Sequence, residues 1–86
     1  MELRVYGPGC ANCERLERHT REAVAGLGRT IEITKVTDIG AIADAGVMRT
    51  PALGIDATLL FQGRVPPVDE LATLLADALS HEGQAD

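Results

Sequence analysis

Leu3-Arg4-Val5-Tyr6-Gly7-Pro8-Gly9-Cys10-Ala11-Asn12-Cys13 is the stretch that decides the reading of this chain. Leu3 to Tyr6 has strand character, Gly7-Pro8-Gly9 turns the backbone, and from Cys13 onward the apolar residues recur at helical spacing. A thiol in this place stands at the first turn of a helix, where backbone N–H groups lack intrahelical partners and favour negative charge. Negative charge is what a thiol needs to react. The thiolate is the nucleophile, and a free cysteine's pKa of about 8.5 leaves little of it at neutral pH. Two intervening residues let Cys13 reach back to Cys10 and close a small disulfide ring. The pair, the only cysteines in the chain, points to thiol–disulfide exchange.

Outward from this stretch, strands alternate with helices over short connections. The first strand is Glu2 to Tyr6, and the first helix runs from Cys10 or Ala11 to Gly26. Cys13, Leu16, Ala23, Val24 and Leu27 fall on one helix face with Thr20 among them, opposite Glu14, Arg15, Glu17, Arg18, Arg21 and Glu22. Glu14 and Arg18, and Glu17 and Arg21, are i,i+4 pairs in the favourable order. Gly26 and Gly28 supply stop signals.

Thr30 to Val36 alternates over β-branched residues and predicts a second strand. Asp38 caps a short helix, Ile39 to Ala45, which Gly46 closes. Ala52 to Ile55 and Thr58 to Gln62 form a hairpin about Asp56-Ala57. Pro66-Pro67 opens the last helix, whose stripe is Val68, Leu71, Leu74, Leu75, Ala78 and Leu79. The order β-α-β-α-β-β-α predicts an α/β domain, with a mixed four-stranded sheet flanked by helices, because crossovers give parallel neighbours and a hairpin an antiparallel one. One domain spans 1–80, and periodicity fades into a frayed tail over 81–86.

Composition narrows the function. The 86 residues suffice for one core, built from Leu, Ile, Val and Ala, since Tyr6 and Phe61 are the only aromatics. Eight basic against thirteen acidic residues give a formal net charge of −5, and the basic ones are scattered, which disfavours nucleic acid as a partner. No stretch approaches the roughly 20 apolar residues that span a bilayer. Nor does a basic segment followed by an apolar one open the chain, so neither membrane nor export is expected and the cytoplasm is the expected location. In a reducing compartment, a C-x-x-C beside a strand–helix unit reads as redox or metal chemistry.

The element order, Cys10-Ala11-Asn12-Cys13 after the first strand, and Thr50-Pro51 before the third together resemble the thioredoxin fold. More narrowly, Tyr6 to Cys13 and Thr50-Pro51-Ala52-Leu53 look like the small thioredoxin- and glutaredoxin-like redox-active disulfide proteins of bacteria and archaea. The likeness runs from Glu2 to about Leu79. It implies Cys10 as the attacking thiol, Cys13 as the resolving thiol, a cis Pro51 opposite the C-x-x-C loop, and Thr50 offering its backbone to an extended substrate segment. Gly9, with Gly7, leaves the approach to Cys10 bare. The implied partners are a disulfide-containing protein substrate and an upstream thiol reductase or low-molecular-weight thiol, with no cofactor. The chain departs from thioredoxins proper, which carry Trp where Gly9 stands and Gly-Pro where Ala11-Asn12 stand. It also lacks the Pro-Tyr of glutaredoxins, and Glu2 and Arg4 are the only charges in the first strand.

Other readings of the two cysteines stay open. They could be small buried residues without chemistry. They could bind metal: structural zinc takes four N or S ligands, for which only His19 and His81 remain, whereas soft Cu(I) can be held by two thiolates alone. They could also form a disulfide that switches a protein–protein interaction without turning over substrate. Tyr6 reads as core, and Met48 and Arg49 as exposed residues or the rim of a substrate groove. Gly7-Pro8-Gly9 lacks the further glycine and lysine positions of a phosphate-binding loop.

Overall fold

Alternating apolar residues in a five-residue strand give that strand two different faces, and β1 (Glu2–Tyr6) uses both. In the computed structural model, which describes residues 2–56 and 58–83, Leu3 and Val5 point to one side of a sheet and Tyr6 to the other. The remaining elements are α1 (Ala11–Gly26), β2 (Glu32–Val36), α2 (Ile39–Asp44), β3 (Ala52–Ile55), β4 (Thr58–Gln62) and α3 (Val68–Gly83). The four strands lie in the order β2-β1-β3-β4. β1 runs parallel to β2 and antiparallel to β3, and β3 is antiparallel to β4. The element order and the mixed α/β sheet are those of the thioredoxin-like fold that the sequence predicts.

The two sheet faces carry unequal cover. On one, Leu3, Val5 and Leu53 meet Leu16, Ala23 and Val24 of α1 and Leu71 and Leu75 of α3, all buried. On the other, Tyr6 and Ala52 pack with Ile42 of the short α2 and with Val47. Thr20, fully buried on the apolar face of α1, donates its hydroxyl hydrogen to the Leu16 carbonyl at 2.7 Å, so no buried polar group is stranded there. Glu17 is held below the usual carboxylate range, first by its hydrogen bonds from Arg21 and then by Lys35. That clasp ties α1 to β2.

Several boundaries shift for physical reasons. β2 begins at Glu32, not at Thr30, because its first partner on β1 is Glu2; Ile31 still packs against the core. The last helix begins at Val68, one residue past the proline pair. The Pro67 carbonyl accepts the first helical bond from Leu71 N–H at 3.0 Å, which makes Pro67 a cap in place of the first helical residue. Of the two i,i+4 pairs expected on α1, Glu17–Arg21 forms at 2.9 Å, whereas Glu14 and Arg18 are both exposed and make no ion pair among the described residues. α3 continues to Gly83, so part of the tail expected over 81–86 is helical and 84–86 lie outside the described residues. Ala57 of the hairpin turn and the Leu79 side chain also lie outside them. Asp56 enters that turn with φ 52°, a left-handed conformation that Asp tolerates.

Candidate active site

The loop between β1 and α1 ends in Cys10, whose extended backbone (φ −73°, ψ 168°) marks it as the N-cap of α1. Serine, threonine and aspartate usually fill this position, because a side-chain acceptor there meets the free N–H groups of the first turn. Here the acceptor is sulfur. Cys13 N–H donates to Cys10 Sγ at 3.4 Å, and the two sulfurs lie 2.7 Å apart, both cysteines being free. Cys10 is exposed, whereas Cys13 is only 3% exposed.

Their acidities diverge accordingly. The Cys10 thiol is held below its ordinary value, first by the hydrogen bond from the Cys13 thiol and then by Cys13 N–H. Burial pushes the Cys13 thiol up, and its hydrogen bond to Cys10 adds to the rise. The arrangement therefore separates an accessible, acidified thiol from a sheltered one that keeps its proton. Together they can form and break one disulfide.

The sheet register places Thr50 and Pro51, other predicted site residues. Tyr6 pairs with Ala52, so the chain leaving β1 toward Cys10 lies beside the chain entering β3 from Pro51. The Thr50–Pro51 peptide is cis, with Thr50 exposed and Pro51 buried. Two residues of β4 and its exit hold this segment. Gln62 Oε1 accepts from the backbone N–H groups of both Met48 (2.6 Å) and Arg49 (3.0 Å), and Gly63 N–H donates to the Pro51 carbonyl at 2.8 Å. Sequence reading treats Gln62 only as the end of a strand, since nothing in a polar strand terminus announces an acceptor for a loop fourteen residues away. Met48 is 87% exposed.

The two glycines of the turn differ. Gly9 has φ +96°, which glycine adopts readily, and a side chain there would meet nothing within 4 Å. Its bareness faces open space beside Cys10. Gly7 is buried and its missing side chain makes room inward, for Cys13, not outward for an approaching molecule.

Tyr6 is core, as expected. His19 Nδ1 donates to the Pro66 carbonyl at 3.0 Å, and the His81 side chain lies outside the described residues. Among the described residues no group of three or more His, Cys, Asp or Glu side chains is disposed to hold a metal ion. An open depression of about 480 Å³ lies between β1, β2 and α2, lined by residues such as Arg4, Thr34 and Asp44 and by none from 7–13 or 48–51.

Comparison with known proteins identifies the family. Residues 1–76 match the family described as thioredoxin domain. The chain belongs to the thioredoxin family. A thioredoxin of Methanothermobacter thermautotrophicus is 40% identical over 76 residues, covering 88% of this chain and 99% of the relative. A thioredoxin of Methanocaldococcus jannaschii is 38% identical over 69 residues, 80% of this chain and 79% of its own length. As a thioredoxin-family protein the chain is a thiol–disulfide oxidoreductase, which is the chemistry two neighbouring thiols of unequal acidity can perform. No helix among the described residues is long and apolar enough to cross a membrane.

Proposed function

We propose that the chain reduces or exchanges protein disulfides through Cys10 and Cys13, with Cys10 attacking and Cys13 resolving. The observation that carries this reading is the pairing of an exposed, acidified Cys10 at a helix N-cap with a buried Cys13 whose sulfur lies 2.7 Å away.

The Cys10 thiolate attacks one sulfur of the substrate disulfide. That S–S bond breaks, a mixed disulfide forms, and the first substrate thiolate leaves and takes up a proton. Cys13 then loses its proton and attacks Cys10 Sγ. The mixed disulfide breaks, Cys10–Cys13 forms, and the second substrate thiolate departs. The substrate gains two electrons and the protein loses two. A high pKa at Cys13 keeps it from reacting with solvent oxidants before the mixed disulfide has formed. Thr50 and Pro51 lie alongside as the edge on which an extended substrate segment pairs, and Gly9 leaves space for its bulk. A low-molecular-weight thiol or an upstream reductase returns the dithiol, and in a reducing cytoplasm the flow runs toward substrate reduction.

The test is reduction of a protein disulfide such as insulin by dithiothreitol, with and without the purified protein. The expected result is catalytic acceleration that scales with protein concentration. A rate equal to the blank, beside stoichiometric capture of Cu(I) or Zn(II), would replace this reading with that of a thiolate metal module. A rate equal to the blank beside disulfide-dependent binding of a partner would make the pair a switch.

A further inference from the structure

We infer that Gly7 is a positioning residue: the space left by its absent side chain is the seat of the Cys13 sulfur. The inference deepens the dithiol reading and rests on it.

Gly7 lies at the end of β1, buried, with its N–H donating to the Val36 carbonyl at 3.0 Å. Its φ is outside the positive range, so the backbone does not call for glycine, in contrast with Gly9, Gly28, Gly46 and Gly63. Space does. A methyl carbon at position 7 would overlap Cys13 Sγ outright, sit 3.0 Å from Cys13 Cβ, and reach 4.0 Å from Thr50 Cβ. The opposing atom is not the far end of a flexible chain. Cys13 has a single side-chain torsion on the first turn of α1, and rotating it away from Gly7 also moves Sγ relative to Cys10. A side chain at position 7 therefore acts directly on the resolving thiol and reaches the exposed Cys10 only through the contact between the two sulfurs.

This separation can be read with a stoichiometric amount of 5,5′-dithiobis(2-nitrobenzoate). Attack by Cys10 breaks the probe's S–S bond and releases one coloured thiolate, leaving the other half on Cys10. Attack by Cys13 on Cys10 Sγ releases the second and forms Cys10–Cys13. In wild type both are released. In Gly7→Ala the first release slows no further than it does in Cys13→Ala, which lacks the Cys13 hydrogen bond to Cys10, while the second slows by about a hundredfold, the scale on which a displacement of roughly 1 Å from reacting geometry acts. The control for a merely structural effect is the Cys13→Ala background, where no atom remains at the sulfur's place and Gly7→Ala should leave the single release unchanged.

A second release as fast as wild type in Gly7→Ala overturns the inference. So does a single release slower in Gly7→Ala/Cys13→Ala than in Cys13→Ala, which would mean that position 7 acts on Cys10 or on the fold. Should wild type release only one thiolate, the dithiol reading itself fails, and the inference fails with it. Thermal unfolding covers poor folding of Gly7→Ala. The substitution should lower the melting temperature less when Cys13→Ala has removed the sulfur, and an equal or larger loss there contradicts the seat.

Discussion

Cys10→Ser brings catalysed disulfide exchange down to the uncatalysed rate, the largest functional effect expected of any single substitution in this chain. A serine hydroxyl at the N-cap still satisfies Cys13 N–H, so the fold keeps its helix start while the nucleophile is gone. The resolving position behaves differently. Cys13→Ser leaves Cys10 able to attack and removes the thiol that would release it, so the substrate remains attached to Cys10 as a mixed disulfide that mass spectrometry identifies. Full multiple-turnover activity of Cys13→Ser with glutathione would show a one-thiol mechanism instead.

The pH dependence follows from the same contacts. Cys10 titrates below its ordinary value, so its alkylation rate rises with pH through a midpoint lower than that of an unperturbed thiol. The largest cause of that lowering is the hydrogen bond from the Cys13 thiol. Cys13→Ala removes it, and the midpoint moves upward. A midpoint that stays put in Cys13→Ala would assign the acidification to the helix N-terminus alone.

Leu53→Ala is the corresponding extreme for stability. Leu53 is fully buried at the centre of β3, paired with Val5 on one side and Phe61 on the other, in the cluster that joins the sheet to α1 and α3. Truncation removes its apolar contacts and leaves a cavity that these close-packed neighbours refill only in part, at a cost of about 2–5 kcal/mol. Against a total of about 5–15 kcal/mol for a small domain this is a large fraction. At about 4–8 °C per kcal/mol, the melting temperature falls by roughly 8–40 °C. Met48→Ala, at a side chain 87% exposed, should change stability by less than about 0.5 kcal/mol. Equal effects of the two substitutions, measured by thermal unfolding, would contradict the placement of the core.

What the sequence makes legible here is what local periodicity and local chemistry encode. The buried face of α1, from Cys13 through Leu16, Thr20, Ala23 and Val24, is the face its spacing predicts. Asp38 caps α2 through its carboxylate on Ala41 N–H, again a contact within one turn. The hairpin strands, Ala52–Ile55 and Thr58–Gln62, fall at the residues predicted for them on either side of Asp56-Ala57. Cys10 and Cys13 are conspicuous because their relation is confined to the first turn of one helix.

Contacts between distant residues are the illegible part. Gly7 and Gly9 look alike in sequence, two glycines flanking a proline. Yet one is required by its backbone angle and the other by a sulfur six residues on, around a turn. Gln62 carries no local signal that its side chain will meet the backbone of Met48 and Arg49. That the chain leaving β1 toward Cys10 lies beside the chain entering β3 from Pro51 follows from the register of β1 against β3, which no single segment contains. The proline pair before α3 signals a helix start correctly, but which proline supplies the capping carbonyl depends on how the chain leaves β4.

The measurement that bears most directly on the account is a redox titration of the purified, metal-free protein in dithiothreitol buffers, read by thiol alkylation and mass. A working dithiol gives a reversible two-electron Cys10–Cys13 couple with a midpoint between about −300 and −180 mV, the range of reductases and isomerases. Cysteines that are alkylated at every potential, with no reversible pairing, would contradict it.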